Sequence, residues 1–198
     1  MKRVLLVVDP QVGFSEKGEL PVAGASEIVP VLNKLIKKFG KADIVAVSRD
    51  MHPPDHCSFK ENGGLWPAHC VAGTESAEFI PGLALDFVDI IVNKAEHQDT
   101  EAYSAFDEYA ELEDPLDGSV LFESLEEFLV DEDVDTVYIC GLATDYCVKA
   151  TALDAVRLGF KTYVVYDACR AVATDTEAVA VKEMKAAWVV FINSDEIE

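Results

Sequence analysis

The sequence predicts an α/β fold, a three-layer αβα sandwich built on a mostly parallel six-stranded sheet. Two observations carry that prediction. Short apolar, β-branched runs recur along the chain, and they are continuous rather than alternating, as strands buried on both faces require. Between them lie segments with the 3.6-residue period of amphipathic helices. Strand and helix therefore alternate, which implies right-handed crossovers.

The first strand is Val4–Val8, ended by Asp9 and Pro10. Ser26–Phe39 then places Ile28, Leu32, Leu35, Ile36 and Phe39 on one helical stripe. Ile44–Val47 and Val88–Val92 are the next two strands. The segment between them, Arg49–Asp86, is rich in Pro, Gly, His and Cys and is longer than ordinary connections, so it reads as a functional loop. The acidic tract Asp107–Asp117 reads as a solvated insertion. Ser119–Val130 repeats Leu121, Phe122, Leu125, Phe128 and Leu129 at helical spacing. Thr136–Ile139 is the fourth strand, with its end near Cys140, a turn at Gly141 and a helix over Asp145–Leu158 stopped by Gly159. Strand Thr162–Val165, helix Thr174–Lys185 and strand Trp188–Ile192 follow. No internal repeat interrupts this order, so one domain over residues 1–198 is expected, with a metal-binding loop at about 49–86.

A chain of 198 residues buries a core without disulfide or metal staples. Its 37 acidic and 16 basic residues give a net charge of −21, a surface that repels phosphate backbones and argues against nucleic-acid binding. No run approaches the roughly 18 apolar residues of a membrane span, so no membrane partner is expected. Met1-Lys-Arg before Val4–Val8 is too weak a start for a signal peptide, because Asp9 and Pro10 end the apolar run. Five cysteines, an odd number without CxxC spacing, fit a reducing, cytoplasmic compartment. Cys140, inside an apolar strand, and Cys169, just after one, read as structural.

In an open parallel sheet, sites form at the carboxyl ends of the strands. Asp9 follows the first strand, Arg49 and Asp50 the second, Lys94 the third, and Gly141-Leu-Ala-Thr-Asp-Tyr-Cys147 the fourth. Cys147 falls in the first turn of its helix, where free N–H groups and the positive end of the dipole favour thiolate. The residue types suggest a division of labour. Asp9 takes the thiol proton and later passes it to a leaving amine, or activates water. Lys94 stabilises the carboxylate, the thiolate or both, and Cys147 attacks an acyl carbon to form a thioester. Backbone N–H groups of Ala143 and Cys147 hold the oxyanion.

A second cluster lies in the long loop: Asp50, His52, His56 and His69, which include three of the four histidines of the chain. Asp-x-His followed by a distant His suits a catalytic metal with open positions, Zn²⁺ or Fe²⁺; a polar loop of hydrogen-bonding histidines is the competing reading. A zinc finger using Cys57 and Cys70 lacks the usual CxxC start. Phe14, Trp66 and Tyr103 fall in loops near the same sheet edge and suit a flat ring substrate.

Five segments together resemble the nicotinamidase/pyrazinamidase group of the isochorismatase-like cysteine hydrolases: VVDPQVGF (Val7–Phe14), SRDMHPPDHCSF (Ser48–Phe59), WPAHCVAGT (Trp66–Thr74), NKAEHQDTEAYSAF (Asn93–Phe106) and GLATDYCVKATALDA (Gly141–Ala155). The resemblance implies an Asp9–Lys94–Cys147 triad. It implies metal ligation by Asp50, His52 and His69, with water and the substrate's pyridine nitrogen in the remaining positions. His56 is the candidate for an added ligand, and Glu61 a weaker one. The implied metal is Zn²⁺, with Fe²⁺ or Mn²⁺ as alternatives. The ring clamp falls on Phe14 and Trp66 with Tyr103 close by, and a cis peptide on Leu142–Ala143. The implied reaction converts nicotinamide, or pyrazinamide, to the acid and ammonia, feeding NAD salvage; a homo-oligomer is left open. The rival within the fold is a metal-free isochorismatase-like or N-carbamoyl amide hydrolase. Tyr146 departs from the pattern, since several relatives carry His or Glu before the nucleophile.

Overall fold

A computed structural model describes residues 2–121 and 123–198; Phe122, assigned above to a helical stripe, lies outside the described residues. The strands are β1 (Lys2–Val8), β2 (Ile44–Asp50), β3 (Ile90–Lys94), β4 (Glu111–Glu113), β5 (Val120–Leu121), β6 (Val134–Leu142), β7 (Lys161–Arg170) and β8 (Val190–Ile192). The helices are α1 (Val29–Phe39), α2 (Leu125–Asp131), α3 (Cys147–Arg157) and α4 (Thr174–Ala186). One sheet runs in the order β5-β4-β3-β2-β1-β6-β7-β8.

The six expected strands form its contiguous parallel part, β3 to β8 through β1. The sheet has eight strands rather than six, because β4 and β5 add an antiparallel edge. They lie in and after the acidic tract, so that tract is not wholly a solvated insertion. Leu112 is fully buried, and Glu113 meets Arg49 at 2.9 Å. A three-residue strand with one apolar residue between two glutamates leaves no periodicity to read. Spending Val120 and Leu121 on β5 also delays the next helix. Ser124 and Glu127 form a capping box that starts α2 at Leu125, six residues after the expected Ser119. At the last strand, Trp188 stays outside, with φ 70° and 87 % exposure.

Gly141 is not a turn residue but part of β6. Its φ is +113°, and a Cβ there would lie 2.1 Å from the Val8 carbonyl oxygen. Glycine lets β1 and β6 close on each other at the end that carries the site.

The topology places that site. From β1 the chain steps to β2 and β3 in one direction, whereas β6, β7 and β8 step in the other. Right-handed crossovers then put α1 on one face and α3 and α4 on the opposite face. The strand order reverses between β1 and β6, and a crevice opens at their carboxyl ends. Among the described residues no helix is long and apolar enough to cross a membrane.

Candidate active site and metal centre

Asp9 follows directly on β1 with φ 47°, a left-handed conformation that Asp tolerates better than most residues. It is fully buried, and its Oδ1 accepts a hydrogen bond from the Ser48 hydroxyl at 2.6 Å. Its Oδ2 lies 3.0 Å from Lys94 Nζ and has no other partner among the described residues. Lys94, the last residue of β3, has no exposed surface. Its ammonium also donates to Asp50 Oδ1, to the Ala102 carbonyl at 3.1 Å and toward Cys147 Sγ at 3.7 Å. Cys147 is the first residue of α3, so its N–H has no helical acceptor. The side-chain ligand atoms of Asp9, Asp50 and Cys147 lie within 4.8 Å of one another.

The electrostatics follow from burial. Burial pushes the Asp9 carboxyl up to about 6, with Asp50 adding and Lys94 opposing. Burial alone would lower Lys94, but Asp50 and Asp9 outweigh it and hold the ammonium well above its ordinary value. Burial also pushes the Cys147 thiol well above its usual range; Lys94 opposes this, while Asp9 and Asp50 add to it. The helix end was expected to favour thiolate, but in this buried setting it does not prevail. A protonated thiol beside a half-open carboxylate suits proton transfer at the moment of attack.

The metal-type ligand atoms of Asp50, His52 and His69 also lie within 4.8 Å of one another, and all three residues are buried. His52 Nδ1–H donates to the His69 carbonyl at 3.1 Å, and His69 Nδ1–H donates to the Pro67 carbonyl at 2.8 Å. Each bond fixes the tautomer and leaves Nε2 with its lone pair free. Burial lowers the His52 pKa to about 4, keeping the imidazole neutral as a ligand must be. Burial opposes ionisation of Asp50 as well, but the Lys94 ammonium holds its carboxyl below the usual value. The donor set therefore fits a three-ligand site with open positions.

His56 is arranged differently. Its Nδ1 accepts from Ser58, 2.7 Å from the hydroxyl oxygen, and its Nε2–H donates to the Thr100 carbonyl at 3.0 Å. Both ring nitrogens are thus engaged in hydrogen bonds, although the ligand atoms of His52, His56 and Glu101 also lie within 4.8 Å of one another. Glu61 is exposed and outside the ligand clusters among the described residues.

A narrow pocket opens beside the thiol, lined by Phe14, Trp66, His69, Ala143, Tyr146 and Cys147 among others. Phe14 lies edge-on to His69, with centroids 5.4 Å apart. Tyr103 is near but not in the lining; its hydroxyl accepts the Trp66 indole N–H at 2.9 Å. The Leu142–Ala143 peptide is cis.

Three supporting residues went unread in the sequence. Gln11 is fully buried and grips Asp50 twice, its Oε1 accepting the Asp50 N–H and its Nε2 donating to the Asp50 carbonyl, both at 2.8 Å. Ser48 orients Asp9. Asp145 accepts the N–H groups of Val172 and Ala173 and the Thr176 hydroxyl, fastening the turn before Cys147 to the start of α4. Gln11 stands inside the VVDPQVGF segment, two residues after Asp9, and that proximity was the available signal.

Residues 3–196 match the isochorismatase domain model, and the chain belongs to that family. It is 38 % identical to a nicotinamidase of Acinetobacter baylyi, covering 98 % of this chain and 93 % of the relative. Among solved structures, the pyrazinamidase of Pyrococcus horikoshii in complex with zinc superposes with a TM-score of 0.85 at 40 % identity, covering 98 % of this chain and 99 % of that one. PnC1 from L. infantum in complex with nicotinate superposes with a TM-score of 0.87 at 31 % identity, covering 98 % and 93 %.

Proposed function

We propose that this chain is a metal-dependent cysteine amidase that hydrolyses nicotinamide, and pyrazinamide alongside it, to the carboxylate and ammonia. The observation that carries the reading is the meeting of Asp9 and Lys94 with Cys147, whose thiol lines a pocket together with Asp50 and His69. The nicotinamidase and pyrazinamidase relatives support the substrate class. The enzyme acts in the cytoplasm in NAD salvage, as one domain over residues 1–198 with its metal loop at about 49–86.

The ring enters between Phe14 and Trp66 with its carboxamide toward Sγ. Asp50, His52 and His69 would hold a divalent ion, zinc, iron(II) or manganese(II), which supplies a fixed anchor for the pyridine nitrogen. Asp9 takes the Cys147 proton as sulfur attacks the carboxamide carbon. The N–H groups of Ala143 and Cys147 receive the oxyanion, where losing one donor costs about 2.7–4 kcal/mol in comparable sites. Protonated Asp9 passes its proton to the departing amine, and ammonia leaves a thioester. Asp9 then takes a proton from water, which attacks the thioester carbon and releases the carboxylate and the thiol. Throughout, Lys94 keeps Asp9 from holding the proton too tightly.

The test is ammonia release from a panel of aromatic amides, with and without added metals. Nicotinamide should be turned over, chelation should abolish turnover, and Cys147→Ala should remove it while the protein stays folded. Full turnover by Cys147→Ala would refute the nucleophile, and activity unaffected by chelator in metal-free protein would refute the metal.

A further inference from the structure

We propose that Tyr146 sets the upper size limit on the substrate ring, as a side-chain partition between the buried pocket and a surface groove. The proposal rests on the amidase reading above and deepens it. The pocket holds about 30 Å³ of free space, room for a water or two rather than a six-membered ring. One wall must therefore yield when an aromatic amide enters.

Most walls are fixed. Phe14, His69, Ala143 and Cys147 are at most 7 % exposed, and the Trp66 indole is tied to the Tyr103 hydroxyl. Tyr146 differs, because it lines the pocket on one side and a groove of about 320 Å³ on the other. Lys149, Asp175, Thr176 and Val179 form the rest of that groove with Asp145. The backbone of Tyr146 is held: its N–H donates to the Ala143 carbonyl at 3.0 Å, and its carbonyl accepts the Ala150 N–H at 2.9 Å. Movement is thus left to the side chain, which can rotate toward the groove without displacing Cys147. Edge-to-face contact with Trp66, at 4.9 Å between centroids, favours the closed position.

Val172 also reaches from the pocket to a neighbouring groove. It is short and β-branched, and its N–H is fastened to Asp145 at 2.9 Å. Truncating it would remove only two methyl groups.

The experiment compares kcat/KM for nicotinamide with that for nicotinamides carrying a methyl or a phenyl group at each free ring carbon. Tyr146→Ala should raise the relative rate of at least one substituted amide by about tenfold or more, the lower end of what a misfitted methylene costs a pocket. Tyr146→Phe should keep wild-type selectivity, and so should Val172→Ala. Tyr146→Leu, which keeps apolar bulk beside the nucleophile, repeats the measurement should the alanine variant fail to fold. Ratios unchanged to within about threefold in both the Ala and Leu variants would overturn the size limit, as would a larger gain in Val172→Ala. Nicotinamide turnover by the wild-type protein reads the amidase assignment separately. Its absence would sink that assignment and this proposal together, whereas intact turnover with unchanged ratios sinks only the proposal.

Discussion

Lys94 has no exposed surface, Asp9 stands 3.0 Å from it, and Asp50 is hydrogen-bonded to it. Lys94→Met would leave those carboxylates buried without their common partner. Removing one member of a buried ion pair typically costs about 3–5 kcal/mol, so chemical denaturation should show a loss of that order along with lost turnover. Asp9 gives a second prediction. The proposed mechanism needs its carboxylate form, and burial pushes its pKa up to about 6. The base is present above that value and protonated below it, so kcat/KM should fall about tenfold per pH unit below roughly pH 6. A limb centred near the ordinary carboxylate value in a pH–rate profile would mean that another group controls the acid side. The groups gathered here were legible because each ends or follows an apolar run, where a parallel sheet puts its chemistry. Gln11 and Ser48 were not, because their partners are set by the register of β1 against β2, which no local spacing encodes. Tyr103, expected near the substrate ring, stands beside the pocket with its hydroxyl accepting the Trp66 indole N–H.

At the scale of elements, the parallel strands were legible from continuous β-branched runs, and α1 from its buried stripe of Leu32, Leu35, Ile36 and Phe39. The edge strands β4 and β5 were not, since they depend on β3 offering an open edge and on Arg49 meeting Glu113. In the sequence Gly141 suggests a turn, because glycine commonly marks one. Its real constraint is the approach of the Val8 backbone, which is invisible until β1 and β6 are paired. Gly141→Ala should therefore cost about 3 kcal/mol or more, since overpacking and a positive φ act together. It should also depress turnover by parting the strand that carries Asp9 from the one that leads to Cys147. A denaturant midpoint within error of the wild type would show that the seam can relax. The long loop gives the opposite expectation. It is tied to the body by Met51 N–H donating to the Lys94 carbonyl and Ile80 N–H donating to the Pro10 carbonyl, at 2.9 and 2.8 Å. Metal removal should therefore leave far-UV circular dichroism and cooperative unfolding intact while amides of the loop lose hydrogen-exchange protection. Unfolding of the whole chain on chelation would instead make the metal a structural staple.

Across the whole molecule the dominant quantity is the net charge of −21. Among the described residues, eight of the 37 acidic side chains are held in ion pairs: Glu132, Asp43, Glu113, Asp9, Asp50, Glu183, Asp154 and Glu27. Most of the others are exposed and lie outside these ion pairs, and their mutual repulsion opposes the compact state. That repulsion is long-ranged at low salt, where the Debye length is about 30 Å at 0.01 M, and nearly local at about 3 Å in 1 M salt. Salt also weakens the exposed pairs, but each contributes at most about 1 kcal/mol, so screening of the unpaired carboxylates should win. Stability should rise between low and molar sodium chloride by at least about 1 kcal/mol, or about 2–4 °C in the thermal midpoint of a chain this long. Sodium chloride is preferable to sulfate, which strengthens apolar burial by itself. A variant with Glu108→Lys and Asp195→Lys, both exposed and outside the ion pairs, should start from a higher midpoint and show a shallower rise. A midpoint that falls with salt, or equal slopes in both proteins, would mean that the paired charges outweigh the unpaired ones.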